Sequence, residues 1–420
     1  MATNKKAAGE GSLRKKTVMS HDKPYTYWEG RLTVGRDPGT GKQIQRTFYG
    51  KTQKEVREKM QEAAVALTTG DYLTPTKITL GDWLTLWMED YCGDKKYLTN
   101  KTYRAQVENH IRPALGAVKL SQLTAPQIQH FYNTLLKEGR VVTHKDRKSG
   151  KTVTEKKPLS EKAVRNIHGV LTKALSVAVQ LDYIRVNPCD KVTLPRVEKK
   201  EIVPLTDAQV AALLKASDGD AVCGDMLKVI VFSGLRLSEA TGLTWDDIDF
   251  EKQQITVRKQ LQKRPNADGG FVFASLKNDR IRVITVAPYV IDVLRSHKTR
   301  QERDKLAAGD DWQGWKTRSE MATALVFTNA LGEHLHPQTV YSHLKKLAVE
   351  IGAPDACVHD LRHTFAVLSL ENGDDIKTVQ SNLGHATASF TLDTYAHVSE
   401  RMRNDSANRM QRFIEEIKTS

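Results

Sequence analysis

The sequence predicts a mainly α, multidomain protein of the α+β class: a small β-sheet with one helix, then a helical region, then a mixed α/β region. Three observations predict it. Apolar residues recur at helical spacing through most of residues 78–195 and again beyond 205. A short N-terminal stretch instead alternates in the manner of strands. A charged segment bounded by Pro195 and Pro204 divides the 420 residues, a length that suits two to four domains of roughly 100–200 residues each.

The elements follow in chain order. Residues 1–20 are polar and basic, with Arg14-Lys15-Lys16, and are expected to be a disordered arm. Tyr25 to Val34 and Lys42 to Tyr49 alternate and are rich in aromatic and β-branched residues. Asp37-Pro38-Gly39-Thr40-Gly41 between them is a turn signal, so a hairpin or small sheet is expected. Thr52-x-x-Glu55 reads as a capping box, and Val56, Met60, Ala63, Ala64 and Leu67 behind it lie on one helical face. The unit spans residues 21–70.

Residues 78–195 read as a helical domain. Trp83, Leu84, Trp87 and Met88 mark one helix; Tyr103, Val107 and Ile111 mark a second, expected to end before Pro113. Thr124-x-x-Gln127 caps a third carrying Ile128, Phe131, Tyr132, Leu135 and Leu136. Ser160 starts a fourth, with Val164, Ile167, Val170, Leu171, Ala174, Leu175 and Ala178 on its apolar face. The basic stretch 137–157 interrupts them as a long loop or hairpin. After the linker at 195–204, Thr206-x-x-Gln209 opens a new domain over residues 205–398. It reads mainly as helix, with strands at Gln254–Val257, at Arg282–Val286 and around Val326-Phe327. Residues 399–420 are a tail whose helix carries Met402, Ala407, Met410, Phe413, Ile414 and Ile417.

Composition narrows the function. Lys and Arg number 64 against 50 Asp and Glu, a formal net charge of +14, with a pI near 9.4. Over residues 1–60 the counts are 14 and 6, a net +8. More than half of the excess therefore sits in one seventh of the length, which points to a polyanionic partner, most often nucleic acid. No run of about 18 or more apolar residues argues for a membrane span, and no apolar h-region follows Met1 to Lys6. Cys92, Cys189, Cys223 and Cys357 lie far apart with no C-x-x-C pair. Free thiols in a cytosolic protein are expected, rather than a disulfide framework or a cysteine zinc site.

Four clusters could carry chemistry, and each has a plain alternative. In Ser233-Gly234-Leu235-Arg236-Leu237-Ser238-Glu239, Arg236 and Glu239 are three apart on an expected helix. Alone they would be a surface ion pair worth under about 1 kcal/mol. Lys277 precedes a strand, in an expected hairpin turn; alone it is one more solvated lysine, with Lys263 and Arg280 as nearby alternatives. In His359-Asp360-Leu361-Arg362-His363, His359 and His363 have zinc-ligand spacing. A metalloprotease pattern needs Glu where Asp360 stands, and Arg362 would set a cation beside the metal. Leu383-Gly384-His385 precedes Tyr395, which alone would be an ordinary half-buried tyrosine.

Order and spacing together say more. The run Arg236, Lys277, His359-x-x-Arg362, Leu383-Gly384-His385, Tyr395 resembles the catalytic domain of the tyrosine recombinase, or phage integrase, family. In that family two arginines, a hairpin lysine, two histidines and a nucleophilic tyrosine occur in this order. Glu239 matches the acidic residue that supports the first arginine. The resemblance covers residues 205–398 strongly. It implies a core-binding domain at 78–195 and, at 21–70, an arm-binding domain like those of phage and conjugative-transposon integrases. It also implies double-stranded DNA as substrate at core and arm sites, and a homotetramer on DNA. Accessory excision or DNA-bending factors would act beside it, with no membrane and no cofactor. A bacterial cytoplasmic location, nucleoid-associated when bound to DNA, follows.

The chemistry is coherent. A free phenol has a pKa near 10, about three units or roughly 4 kcal/mol from ionisation at pH 7, so Tyr395 needs a base or a field of cations to attack a phosphodiester. Arg236 and Arg362 can each give bidentate bonds to phosphoryl oxygens. By resemblance Lys277 protonates the leaving 5′-oxygen, His359 accepts the Tyr395 proton, and His385 positions the phosphate. The cations can replace Mg²⁺ or Zn²⁺, and a phosphotyrosyl ester keeps the phosphodiester energy, so ATP is not required. No G-x-x-x-x-G-K-[ST] loop occurs. The favoured reading is an integrase and excisionase of a mobile element. Alternatives are a chromosome-dimer resolvase, an inactive DNA-binding regulator on the same scaffold, and a type IB topoisomerase. Deleting residues 1–70 is expected to spare binding at a crossover site and abolish it at a distal arm site in a gel-shift titration. Equal loss at both would make that region a general electrostatic anchor.

Overall fold

The structure is a computed structural model that describes residues 11–20, 23–36, 42–68, 78–145, 152–198, 203–264, 270–277, 279–313, 325–384 and 400–419. The chain divides into two compact units, Met1–Lys199 and Lys200–Ser420.

The first unit begins with an antiparallel sheet of β1 (Ser12–Ser20), β2 (Lys23–Arg36) and β3 (Gln43–Gly50), in the order β1-β2-β3, followed by α1 (Gln53–Thr68). Alternation aims Leu32 and Phe48 at Val56, Met60 and Ala63 of α1, and these residues form its core. The expectation of a disordered arm over residues 1–20 is corrected here. Ser12 to Ser20 pair with β2 in an unbroken antiparallel register, from Ser12↔Arg31 to Ser20↔Lys23. The basic residues that suggested disorder have a partner across the sheet. Glu29, on the central strand and only 2% exposed, is bridged by Arg14 at 2.7 Å, Arg31 at 3.0 Å and Lys16 at 3.5 Å. Residues 1–10 lie outside the described residues.

The helical part of this unit contains α2 (Leu80–Asp90), α3 (Tyr97–Gln106), α4 (Arg112–Leu115), α5 (Ala125–Glu138) and α6 (Glu161–Gln180). Its core takes the apolar faces read from the sequence, among them Trp83, Trp87, Ile128, Tyr132, Leu171 and Leu175. Each fully buried leucine there contributes about 1.5–3 kcal/mol. The indole N–H of Trp83 donates to the Ala174 carbonyl at 3.0 Å, so the largest side chain enters the core without an orphaned donor.

The second helix does not end before Pro113. A π-helical stretch, Val107–Ile111, carries it into α4, and the Arg112 N–H donates to the Val107 carbonyl five residues back. The wider turn relieves the clash that a proline in an α-helix makes with the carbonyl four residues earlier. Between α5 and α6, β4 (Arg140–Lys145) and β5 (Thr152–Lys157) form an antiparallel hairpin, which settles the choice between loop and hairpin.

The second unit opens with α7 (Asp207–Asp218), capped reciprocally by Thr206 and Gln209. Then come α8 (Gly224–Ser233), the single turn α9 (Leu237–Ala240), β6 (Ile248–Asp249) and β7 (Gln254–Val257). The hairpin of β8 (Gln260–Lys263) and β9 (Phe271–Ala274) follows, then β10 (Arg282–Thr285). The remaining helices are α10 (Pro288–Ala308), α11 (Pro337–Glu350), α12 (Val358–Glu371) and α13 (Ile376–Leu383). Antiparallel pairing orders one sheet β10-β7-β6. This region holds more strand than the sequence suggested, although Val326-Phe327 is not a strand. Isolated bridges flank that pair, at Thr244↔Leu325 and Thr328↔His334, and both residues are buried in the core. The C-terminal helix, Glu400–Thr419, forms as expected, and Met410, Phe413, Ile414 and Ile417 on it are exposed.

Candidate active site

The site is built on helix ends. α8 stops at Gly234, whose left-handed backbone, φ 64° and ψ 21°, favours glycine. A Cβ there would lie 2.5 Å from the Phe365 ring and 2.9 Å from Leu383, so the turn must also be bare. Two residues on, Arg236 is extended, at φ −72° and ψ 151°. It stands as the N-cap of α9 rather than on a helical face. Glu239 therefore reaches back to it twice. One carboxylate oxygen accepts the Arg236 backbone N–H at 2.9 Å, and the other accepts the guanidinium at 2.8 Å.

The plain reading of this pair as a surface bridge fails, because Glu239 is 3% exposed. A second guanidinium explains how it is buried. Arg282, first residue of β10, meets both oxygens of Glu239 in a fork, at 3.0 and 2.6 Å. Burial pushes the Glu239 carboxyl up, but hydrogen bonds from Arg282, the charge of Arg282 and the charge of Arg236 outweigh it and hold the pKa at about 2. Breaking such a buried pair by removing one partner costs about 3–5 kcal/mol.

Three arginines then converge on one place, the carbonyl end of α13. Arg282 donates from Nε to the Asn382 carbonyl at 2.7 Å, Arg362 to the Leu383 carbonyl, and Arg236 to the Gly384 carbonyl at 3.4 Å. These are acceptors that a helix leaves open at its C-terminus, where its dipole also favours cations. Arg362 additionally donates to the Gly234 carbonyl and is 1% exposed, so it ties the end of α8 to the end of α13. Gly384 closes α13 in a left-handed cap, φ 62° and ψ 44°. A Cβ there would press on the Arg282 side chain at 3.1 Å.

Lys277 faces the same place. A cleft of about 240 Å³ is lined by Arg236, Lys277, Arg280 and Arg282 on one side and by Lys377, Gln380 and Gly384 of α13 and its cap on another. Lys277 is exposed and lies in a turn, as expected, but not in a hairpin. The strands on either side of it have other partners, β9 pairing with β8 and β10 with β7. Of the alternatives, Arg280 shares the cleft. Lys263 sits on β8 with its Nζ 3.5 Å from His336 Nε2.

His359 lies in the first turn of α12, one turn before Arg362. Partial burial, then the charges of Arg362, Arg236 and Lys277, push its imidazole below the ordinary range, with Asp360 opposing. These influences favour its neutral form. His363 packs edge-on against it with centroids 4.6 Å apart. Burial, then His359 and Arg362, push His363 down to about 4. Asp360 is occupied as a cap, accepting the Cys357 N–H at 2.8 Å. Among the described residues no group of three His, Cys, Asp or Glu is placed to hold a metal ion. His385 and Tyr395 lie outside the described residues. Arg236, Lys277, His359, Arg362 and Glu239 are brought together.

The sequence reading missed Arg282 and the α13 face of Lys377 and Gln380. A signal for Arg282 existed: along β10 it alternates in phase with Ile284, and both are buried.

Comparisons with known proteins agree with this architecture. The Phage integrase family model matches residues 204–402, and the model for the phage integrase N-terminal SAM-like domain matches residues 79–136. A tyrosine recombinase XerC-like protein of Caldanaerobacter subterraneus subsp. tengcongensis is 29% identical, over 90% of this chain and 94% of that protein. The ICEBs1 integrase of Bacillus subtilis is 23% identical over 91% of this chain and 96% of its own length. The Tn1549 transposon integrase, solved in complex with circular intermediate DNA, aligns with a TM-score of 0.61 at 21% identity, covering 79% of this chain and 99% of that one. At that identity the likeness speaks for the fold.

Arg236→Lys is expected to slow covalent attack on DNA by about 10²–10³. Arg236 reaches Glu239 and the Gly384 carbonyl from separate nitrogens, and a lysine, with its donors on a single nitrogen, lacks the planar fork that does this while facing a phosphate. The check is a single-turnover rate at saturating protein, and near-normal turnover would remove Arg236 from the phosphate clamp.

Proposed function

This chain belongs to the phage integrase family of tyrosine recombinases, and on that premise we propose that it is a site-specific DNA recombinase. It cleaves and rejoins double-stranded DNA through a 3′-phosphotyrosyl intermediate, integrating and excising a mobile genetic element. The observation that carries the reading is the gathering of Arg236 and Arg362 at the end of α13, beside a cleft that Lys277 shares.

In this reading the Tyr395 oxygen attacks the scissile phosphorus. Its proton passes to His359, whose partial burial, helped by the charges of Arg362, Arg236 and Lys277, favours the neutral imidazole that can accept it. Arg236 and Arg362 lend positive charge to the phosphoryl oxygens; an arginine in such a role is worth on the order of 10³–10⁵ in rate. The bond to the 5′-oxygen breaks as Lys277 supplies a proton, leaving a 5′-hydroxyl and the tyrosyl ester. His385 positions the phosphate. Attack by the 5′-hydroxyl of a second strand reverses the step and regenerates the phenol, so no nucleotide is consumed.

Other parts of the chain support a DNA partner. The face of the N-terminal sheet opposite α1 carries Arg14, Lys16 and Arg31 gathered on Glu29, with Tyr27 and Tyr49 packed at 5.6 Å beside them. A pair of its three strands has the width that a major groove admits. We assign it the arm site, and residues 78–195 with 205–398 the core site. This extra reading surface favours an integrase over a chromosome-dimer resolvase, and the five gathered site residues favour an enzyme over an inactive regulator. No helix among the described residues is long and apolar enough to cross a membrane; a cytoplasmic site of action is part of the proposal, as are accessory bending or excision factors.

The exposed apolar stripe of the C-terminal helix fits docking on a neighbouring protomer in a tetramer. Deleting residues 400–420 is then expected to abolish recombination between two sites while leaving binding of one protomer to a half-site intact. Loss of folding on truncation would place the helix on its own domain instead.

The reaction itself is tested with nicked duplexes made from the DNA flanking the gene. A covalent protein–DNA band on a denaturing gel is expected from the parent chain. Tyr395→Phe should bind the same duplexes equally well and give none; a band that persists in the variant would move the nucleophile elsewhere.

A further inference from the structure

We propose that Arg282 is a positioning residue for the DNA-cleavage step: it neutralises Glu239, so that Arg236 meets the phosphate with a full positive charge. Its bond to Asn382 also fixes the helix end against which Arg236 lies. The inference rests on the recombinase reading above.

Consider the cluster without Arg282. Glu239 and Arg236 are joined by a 2.8 Å ion pair and by the backbone N–H, and Glu239 is almost wholly buried. A carboxylate so placed cancels the charge of its one cation, and a phosphate approaching that pair would face net zero. With Arg282 the trio carries net +1. The geometry says which arginine supplies the counter-charge. All three guanidinium nitrogens of Arg282 are engaged, two on Glu239 and one on the Asn382 carbonyl, and its side chain is 7% exposed. Of its guanidinium nitrogens Arg236 gives only one to Glu239, and its side chain is 25% exposed on the cleft. Arg282 is thus spent inward and Arg236 is turned outward. A planar fork meets both carboxylate oxygens together, which a single ammonium cannot do.

Arg282 also reaches the helix that frames the cleft. Its Nε holds the Asn382 carbonyl, and its Cδ lies 3.1 Å from where a Cβ on Gly384 would stand. One side chain therefore sets both the charge of Arg236 and the position of the Gly384 carbonyl that Arg236 touches.

The test separates charge balance from mere structural support. Arg282→Met, the double variant Glu239→Gln with Arg282→Met, and Arg282→Lys are compared with the parent chain. The readouts are the rate of covalent adduct formation on nicked duplex, duplex affinity and thermal melting. Arg282→Met brings the cluster to net zero and is expected to slow adduct formation about 100-fold, the scale of losing one transition-state donor, with duplex affinity changed by less than about threefold. Removing the carboxylate charge as well returns the cluster to +1, so the double variant is expected to regain about tenfold of that loss. A purely structural role predicts a double variant no faster than Arg282→Met. That result, or an Arg282→Met rate equal to the parent's, overturns the proposal. If Arg282→Met does not fold, Arg282→Lys decides: with charge kept and fork lost, its rate should stay within about tenfold of the parent, and a 100-fold loss in folded protein overturns the charge argument. A parent chain that forms no adduct at all overturns the recombinase reading, and this inference with it; a normal parent with indifferent variants overturns the inference alone.

Discussion

The open carbonyl end of α13 is the constraint on which the rest of the candidate site depends. A helix leaves its last carbonyls without partners, and here Asn382, Leu383 and Gly384 each receive an arginine from a different element. Arg282 comes from β10, Arg362 from α12 and Arg236 from the turn after α8. The elements are therefore fixed relative to one another by a few hydrogen bonds rather than by apolar packing alone. Gly234 and Gly384 make this possible, since both adopt left-handed backbone and both have neighbours where a Cβ would stand.

Gathering cations needs a countercharge, and the chain uses a buried carboxylate each time. Glu239 sits between Arg236 and Arg282. Asp247, 2% exposed, takes Arg258 and Lys259 and also caps its own turn through Thr244. Glu29 takes Arg14, Lys16 and Arg31 on the N-terminal sheet. In each case the carboxylate has more cations than it can cancel, so the cluster stays positive while its geometry is held. For a protein with a formal net charge of +14, this keeps positive charge in place at defined positions.

The parts of the fold legible in the sequence were those with long periodic signals. The faces of α5 and α6 were read residue by residue because many turns repeat the pattern. Shorter or less regular elements were not. β1 reads as a polar basic run, because the partner of its cations, Glu29, is more than a dozen residues away and only strand pairing brings it near. β8 is four residues long and mostly polar, with Leu261 alone pointing inward. The π-helical turn before Pro113 leaves no mark in composition. For the candidate site, order and spacing singled out Arg236, Lys277, His359 and Arg362, which the fold brings near one another. Arg282 escaped because its role is set by a buried carboxylate on another element, and because the carbonyls it serves are backbone groups with no residue signature.

The most direct measurement is a crystal structure of the chain on a nicked duplex with vanadate in place of the scissile phosphate. The expected result has guanidinium nitrogens of Arg236 and Arg362 within hydrogen-bond distance of the vanadate oxygens, while Arg282 remains forked on Glu239 and bonded to Asn382. Vanadate bound elsewhere, or bound here with Arg236 turned away onto Glu239 alone, would contradict it.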